Sequence, residues 1–257
     1  TALALALGLT LTLTACGGNP GAAETPGSAA PTGSQTPVAE SDLDYVKGNG
    51  VLKIGYTLFE PMNYLGEDGE LTGFETEFAT AVCAKLGVEP KFVEINWDSK
   101  IMELQAQTID CIWNGFTMNG REDDYTWSDP YVNNEQVMIV AKDSGIKKLA
   151  DLKDKYVGVQ AGSAALGLLK EGGDQEDLAK TFADLQEYAD YNTAFAELQA
   201  GTVDAVAMDI GVAKYQIESR DDGYEILDEK LNSEQYAIGF KKGNTELRDK
   251  VNADIKK

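Results

Sequence analysis

Leu104-Gln105-Ala106-Gln107-Thr108-Ile109-Asp110-Cys111-Ile112 returns 94 residues later as Leu198-Gln199-Ala200-Gly201-Thr202-Val203-Asp204-Ala205-Val206. Six positions before each Leu stands a residue suited to capping, Asp98 in the first copy and Asn192 in the second. Each copy therefore reads as a capped helix, a tight turn and a buried strand. The flanks agree as well, because strand-like Lys91 to Ile95 precedes the first copy and Asp184 to Tyr188 the second. Chance likeness of two helix-turn-strand units is the alternative. Two similar α/β lobes are the economical explanation.

Outward from the repeat, strands are predicted at Val51 to Tyr56, Lys91 to Ile95, Ile109 to Trp113 and Val137 to Ala141, with helices between them. In the first helix Phe74, Phe78, Val82 and Leu86 fall at i, i+4 intervals and predict a core stripe, with Gly87 as the C′ stop. After Asp143 the pattern restarts: strand Tyr156 to Gln160, helix Ala164 to Lys170, a strand near Leu185, helix Thr193 to Ala200, strand Val203 to Met208 and helix Gly211 to Glu218. A strand from Gln235 to Phe240 follows, and then a helix with Leu247, Val251 and Ile255 on one face that stops at Lys257 as though truncated. The implied division is 42–141 for the first lobe, 142–229 for the second and 230–257 for a return into the first.

With 257 residues, 43% of them apolar, the chain has enough material for a full core. Asp and Glu number 43 against 22 Lys and Arg, a formal net charge of −21, which repels polyphosphate and argues against a nucleic-acid partner. No His is present, and Cys16, Cys83 and Cys111 lack zinc-like spacing. His-based metal sites, Ser-His-Asp triads and Cys-His dyads are removed together. Neither a metal nor a cofactor is expected, and the protein is expected to act as a monomer.

Residues 1–15 carry no charge and have Leu at every odd position from Leu3 to Leu13. They read as the apolar part of a secretory signal lacking its basic start. Leu13-Thr14-Ala15-Cys16 resembles the bacterial lipoprotein box, in which the Cys is acylated and becomes the first mature residue; a free Cys ending a buried strand is the alternative. From Cys16 to Ala39 the only charged residue is Glu24, among Gly, Pro, Ala, Ser and Thr. Residues 16–41 thus read as a flexible tether that cannot form a core. The expected location is outside the cytoplasm, held to the bacterial membrane by lipid.

In open α/β sheets ligands bind beyond the carboxyl ends of the strands. There the first copy presents Asn114, Gly115, Phe116, Thr117 and, four residues on, Arg121; the second presents Asp209. Lobes that face each other would set a cation against an anion across a cleft, and a zwitterion matches that pair.

These residues resemble the extracellular solute-binding proteins of family 3, the substrate-binding lipoproteins of polar amino acid ABC transporters, over about residues 50–257. The resemblance is carried in order by Phe59-Glu60-Pro61-Met62, Gly73-Phe74-Glu75, Asn114-Gly115-Phe116-Thr117 with Arg121, Trp127-Ser128-Asp129-Pro130-Tyr131, Val157 to Ser163, and Asp204 to Asp209. It implies an α/β, two-lobed periplasmic-binding-protein fold of type II with two hinge strands, here near Lys142 and near Asp228 to Asn232. It also implies that Arg121 pairs with the ligand carboxylate, aided by amides around Ser163, and that Asp209 takes the α-ammonium with the Thr117 hydroxyl and the Gly115 carbonyl. Phe59 and Tyr56 would wall the side-chain pocket, with Asn114 and Gln160 in the same loops. The common family pattern has one residue more between Thr117 and Arg121 and one more before Phe59, which leaves both loops open to displacement.

Plainer readings stand beside these. Arg121, followed by Glu122, Asp123 and Asp124, suits a solvated surface; Asp209 and Ser163 suit helix N-caps; Phe59, Trp97 and Trp113 suit the core or its rim. Cys83 and Cys111 are candidates for a disulfide in an exported protein, two buried thiols being the alternative. The function expected is capture of a zwitterionic amino acid by lobe closure and its delivery to an ABC permease. A ligand sensor on the same cleft is a second reading. A dehydratase-like enzyme is a third, with Glu60 its acidic candidate, although catalytic residues are not expected.

Overall fold

The computed structural model describes residues 41–220 and 223–256. The signal-like segment, Cys16 and the tether up to residue 40 lie outside the described residues. Ser41 opens the described chain by accepting the Asp44 N–H and capping α1 (Asp42–Asn49), a helix absent from the sequence reading. There follow β1 (Val51–Tyr56), the small ribbon β2 (Tyr64–Leu65) and β3 (Leu71–Thr72), α2 (Phe74–Leu86), β4 (Glu89–Glu94), α3 (Lys100–Gln105), β5 (Cys111–Ile112) and β6 (Thr126–Trp127). With β12 (Gly239–Phe240), strands β4-β1-β5-β12-β6 form one sheet, in which β1 runs parallel to both β4 and β5. Helices α1 and α2, with the final α8 (Thr245–Ile255), cover it through Val46, Val82, Leu86, Leu247 and Val251.

The second sheet, ordered β11-β7-β10-β8-β9, is built from β7 (Val132–Ala141), β8 (Tyr156–Gln160), β9 (Asp184–Tyr188), β10 (Ala205–Asp209) and β11 (Tyr224–Tyr236). Its helices are α4 (Ala164–Leu169), α5 (Glu176–Ala179), α6 (Tyr191–Ala200) and α7 (Ile210–Arg220). Residues 137–141 of β7 and 205–208 of β10 read as unbroken apolar runs because both faces are covered there. Val137, Ile139, Val206 and Met208 pack toward α6 and α7. Met138, Val140, Ala205 and Ala207 pack in the opposite cluster, with Ala165 and Leu169 of α4.

The repeat is structural down to single hydrogen bonds. Asp110 and Asp204 each take a backbone N–H of the neighbouring strand, Lys53 at 2.8 Å and Tyr156 at 2.9 Å. Thr108 and Thr202 each donate to the carbonyl at the end of the preceding helix, Glu103 and Glu197, both at 2.9 Å. Even the backbone turn recurs, with φ of 58° at Gln107 and 74° at Gly201. Gly201 carries no Cβ to oppose that left-handed conformation, whereas Gln107 adopts it at a steric cost.

Three local expectations change. The capping side chains are Asn96 and Asp190, not Asp98 and Asn192: Asn96 accepts the Asp98 N–H and opens a 3-10 turn (Trp97–Ser99) that runs into α3, and Asp190 accepts the Thr193 N–H at the start of α6. In α2 the stripe holds at Val82 and Leu86, yet Phe74 is 50% exposed and stacks on Phe78, while Glu75, Ala79 and Cys83 are buried. Cys83 and Cys111 are both free, buried thiols, so the candidate disulfide is not formed; burial pushes the Cys83 thiol up to about 12.

The chain leaves the first sheet between Trp127 and Val132 and re-enters it between Tyr236 and Gly239, not near Lys142 and Asp228 to Asn232. Lys142 follows the far end of β7, and Asp228 lies inside β11. Hydropathy missed this because Asn133, Asn134, Glu135 and Gln136 are polar, yet they pair with β11 from Asn232 to Gln235. The polar ends of these two long strands therefore belong to the second sheet, and two short segments alone connect it to the first.

Candidate functional site

The parallel strands of both sheets end at one cleft, as open α/β sheets require of a ligand site. Thr57 and Phe59 follow β1, Trp97 follows β4, and Asn114, Gly115, Thr117 and Arg121 follow β5. Opposite them stand Gln160 at the end of β8, Ser163 and Ala164 at the start of α4, Tyr191 opening α6, and Asp209 ending β10. The cavity between them is small, about 20 Å³.

Eight of the nine expected ligand residues line this cleft. Tyr56 does not: its ring packs edge-on against Phe92 of β4 at 6.1 Å, and Thr57 lines the cleft instead. Glu60 is absent from the lining too and meets Asn192 at a weak 3.5 Å. Trp97 and Tyr191 complete the aromatic walls; by residue type alone neither stands out from a core aromatic.

Asn114 is a bracket. Its amide donates to the Thr57 carbonyl at 3.0 Å and to Asn63 Oδ1 at 2.8 Å, and its oxygen accepts the Thr57 hydroxyl at 2.8 Å. Gly115 has φ of 53°, and a Cβ there would stand 2.3 Å from Phe59 Cε1. Any side chain at this position would displace the ring that walls the cleft. The Gly115 N–H is held by both carboxylate oxygens of Glu75, at 2.9 and 2.8 Å, and Tyr131 donates to the same carboxylate.

Burial raises the Glu75 carboxyl from its ordinary 4.5 to about 7, against the lowering effect of those hydrogen bonds. An acid raised on folding contributes stability that is complete below about pH 4.5 and is lost as the pH rises through about 7. Glu75→Gln is expected to flatten the fall in folding stability across that window, by up to about 1.4 kcal/mol per pH unit. Thermal melts of both proteins from pH 4 to 8 check this; parallel profiles would exclude Glu75 as the titrating group.

Arg121 enters from the first-sheet side. Its guanidinium donates to the Thr117 carbonyl at 3.0 Å and to the Gly162 carbonyl at 3.3 Å, and lies 5.5 Å from the Phe116 ring centre. Lys100, unnoticed in the sequence, donates to the same Gly162 carbonyl at 3.1 Å, and burial pushes its ammonium down to about 7. Gly162 thus receives two cationic side chains from across the cleft. Ser163 caps α4, its hydroxyl accepting the Leu166 N–H at 3.1 Å, and its own N–H turns back to Gln160 O. Gln160 in turn donates to the Ala189 carbonyl at 3.1 Å.

Asp209 is buried and accepts four hydrogen bonds. Asn134, Gln136 and Tyr236 donate to Oδ1 at 2.6, 2.7 and 2.6 Å, and Tyr191 donates to Oδ2 at 2.9 Å. Every donor is neutral. Burial, and then the charge of nearby Glu234, raise the Asp209 carboxyl to about 6, the mark of a buried anion without a full counter-charge. Three donors crowd Oδ1, so Oδ2 is the oxygen with acceptor capacity to spare. Among the described residues no group of His, Cys, Asp and Glu is arranged to hold a metal ion.

The sequence model described as "Bacterial extracellular solute-binding proteins, family 3" matches residues 52–257. The L-cystine-binding protein TcyJ of Escherichia coli is 30% identical over 220 residues, covering 84% of this chain and 80% of its own length. The arginine-binding extracellular protein ArtP of Bacillus subtilis is 31% identical over 205 residues, covering 77% of this chain and 76% of its own. A crystal structure of an ABC uptake transporter substrate-binding protein from Streptococcus pneumoniae with bound histidine superposes with a TM-score of 0.81 at 31% identity, covering 85% of this chain and 91% of that one.

Proposed function

The chain belongs to the bacterial extracellular solute-binding proteins of family 3, and we propose that it captures one free amino acid by both main-chain charges and delivers it to an ABC permease. It is a binding protein, not an enzyme, and its two sheets form the two-lobed periplasmic-binding-protein fold. The observation that carries the reading is the placement of Arg121 and Asp209 on opposite sides of one cleft. In it the Arg121 guanidinium takes the ligand carboxylate with bidentate geometry. The first N–H groups of a helix lack carbonyl partners, so those of Ala164 and Ala165 at the start of α4 assist it. Asp209 Oδ2 takes the α-ammonium, together with the Thr117 hydroxyl and the Gly115 carbonyl.

The side chain of the ligand then lies among Phe59, Trp97 and Gln160. Thr57, Trp97 and Gln160 also border a second cavity of about 320 Å³ that Glu94 and Asp190 line. A long side chain therefore has room, and an anionic one meets carboxylates. A melting-shift screen of the twenty amino acids and L-cystine is expected to find stabilisation by neutral or cationic members and none by Asp or Glu. The methyl ester and the Nα-acetyl derivative of the best ligand are expected to fail, since each removes one main-chain charge. Stabilisation by either derivative equal to that of the parent would refute recognition of the zwitterion.

Closure is proposed as rotation of one sheet with its helices about the two connecting segments near 128–132 and 236–239, seen as a smaller radius of gyration when ligand is added. Cys16 is proposed to carry lipid, which holds the domain at the membrane by about 0.8 kcal/mol per buried methylene. Mass spectrometry of membrane-extracted protein would show an acylated Cys16 as the mature N-terminus.

A further inference from the structure

Behind the Asp209 side of the cleft lies a second buried carboxylate, Glu234, on β11. In the paired strands β7 and β11 Glu234 stands opposite Asn134, while Asp209 of β10 stands opposite Gln136. The pleat sends residues two apart to one face, so Asn134 and Gln136 meet both acids. Asn134 Nδ2 donates to Asp209 Oδ1 at 2.6 Å and to Glu234 Oε1 at 2.7 Å; Gln136 Nε2 donates to the same two oxygens, both at 2.7 Å. An amide nitrogen carries two hydrogens, so each is used in full and one goes to each acid. Two carboxylates are thus held together by neutral donors alone.

Glu234 Oε1 also accepts the Thr117 hydroxyl at 2.7 Å. A hydroxyl has one hydrogen and two acceptor positions. With its hydrogen given to Glu234, Thr117 offers only lone pairs to the cleft. That suits a ligand group made of N–H donors.

We propose that Glu234 is a positioning residue for the ligand's α-ammonium: it fixes the Thr117 hydroxyl as an acceptor and stands as a second negative charge behind Asp209. This rests on the reading of Asp209 and Thr117 as the ammonium's acceptors. The groups facing the pair are Tyr191 of α6, Tyr236 of β11, Arg121 across the cleft and, farther off, Glu75 of α2. Only Arg121 is cationic; two of its five N–H donors go to the Thr117 and Gly162 carbonyls, and the others are left for the ligand carboxylate. An arriving ammonium is therefore the charge that the pair lacks, and it favours the ionised form of Asp209. Affinity should rise with pH on the acid side and level off once Asp209 is ionised.

Glu234→Gln keeps the shape and the acceptor oxygen and removes the charge. Titration calorimetry with the amino acid that most stabilises the wild type, run from pH 4 to 8, is expected to show about tenfold weaker binding at pH 7. The acid limb of the affinity profile should move to lower pH, because Asp209 no longer titrates against a neighbouring anion. Thr117→Val should also lose about tenfold, and Thr117→Ser should keep wild-type affinity; this pair decides the matter should Glu234→Gln fail to fold. An unchanged affinity and acid limb in Glu234→Gln, or wild-type binding by Thr117→Val, would overturn the role of Glu234 while an Asp209 variant still loses its ligand. Failure of every amino acid to shift wild-type melting would overturn the reading beneath it.

Discussion

Arg121→Ala is expected to weaken amino acid binding by on the order of a hundredfold to a few thousandfold, and Asp209→Asn by a similar factor. Each substitution leaves one charge of a bound zwitterion desolvated and without its partner, at a cost of about 3 to 5 kcal/mol, and each 1.4 kcal/mol is about tenfold in affinity. Asn is the right replacement at position 209. Asp209 accepts from Asn134, Gln136, Tyr236 and Tyr191, so truncation to Ala would strand buried donors and confound binding with folding. Arg121 carries less of the unliganded fold: its guanidinium serves two carbonyls at the rim of the cleft. Calorimetric titration gives the affinities, and melts without ligand should show little change for Arg121→Ala. Near wild-type affinity in either variant would return that residue to a structural role.

Phe116→Ala is expected to cost about 3 to 5 kcal/mol of folding stability, as large aromatic truncations in packed cores do. Phe116 is fully buried and touches Trp97, Tyr125 and Trp127 at centroid distances of 5.4, 5.0 and 4.7 Å. The ring also fills the space above Gly239, where an added Cβ would lie 2.7 Å from Phe116 Cε1. It therefore ties the loop after β5 to the returning strand β12. Its removal opens a cavity among Trp97, Tyr125 and Trp127 at the base of the loop that carries Gly115 and Thr117. Melting should fall by on the order of 10 °C, and ligand affinity should fall as well because the loop loses its support. A drop under about 2 °C would mean that the neighbouring rings close the gap.

The repeat disclosed the lobes because its pattern is local: a helix, a turn and a strand leave their periodicity and turn residues within about a dozen positions. Arg121, Thr117 and Asp209 were legible for the same reason, standing just beyond apolar strands whose carboxyl ends are the ligand side of such sheets. Tyr56 was misplaced by one residue. The last residue of a strand and the first of the loop point in different directions, and spacing alone does not say where the strand stops. The caps moved by two positions on similar grounds, since Asn96, Asp98, Asp190 and Asn192 all suit the role and the backbone chooses among them.

The sequence by itself determined the α/β class, the two lobes, the positions of the loops that line the cleft and the opposite charges those loops carry. Only the tertiary structure decided how the charges are held. Glu75 buries itself under Gly115 from 40 residues away, and Glu234 reaches Thr117 from 117 residues away. Asn134 and Gln136 read as polar surface until β11 and β10 are laid on either side of them. A buried carboxylate has no local pattern, because what makes it tolerable is a set of donors from strands distant in sequence.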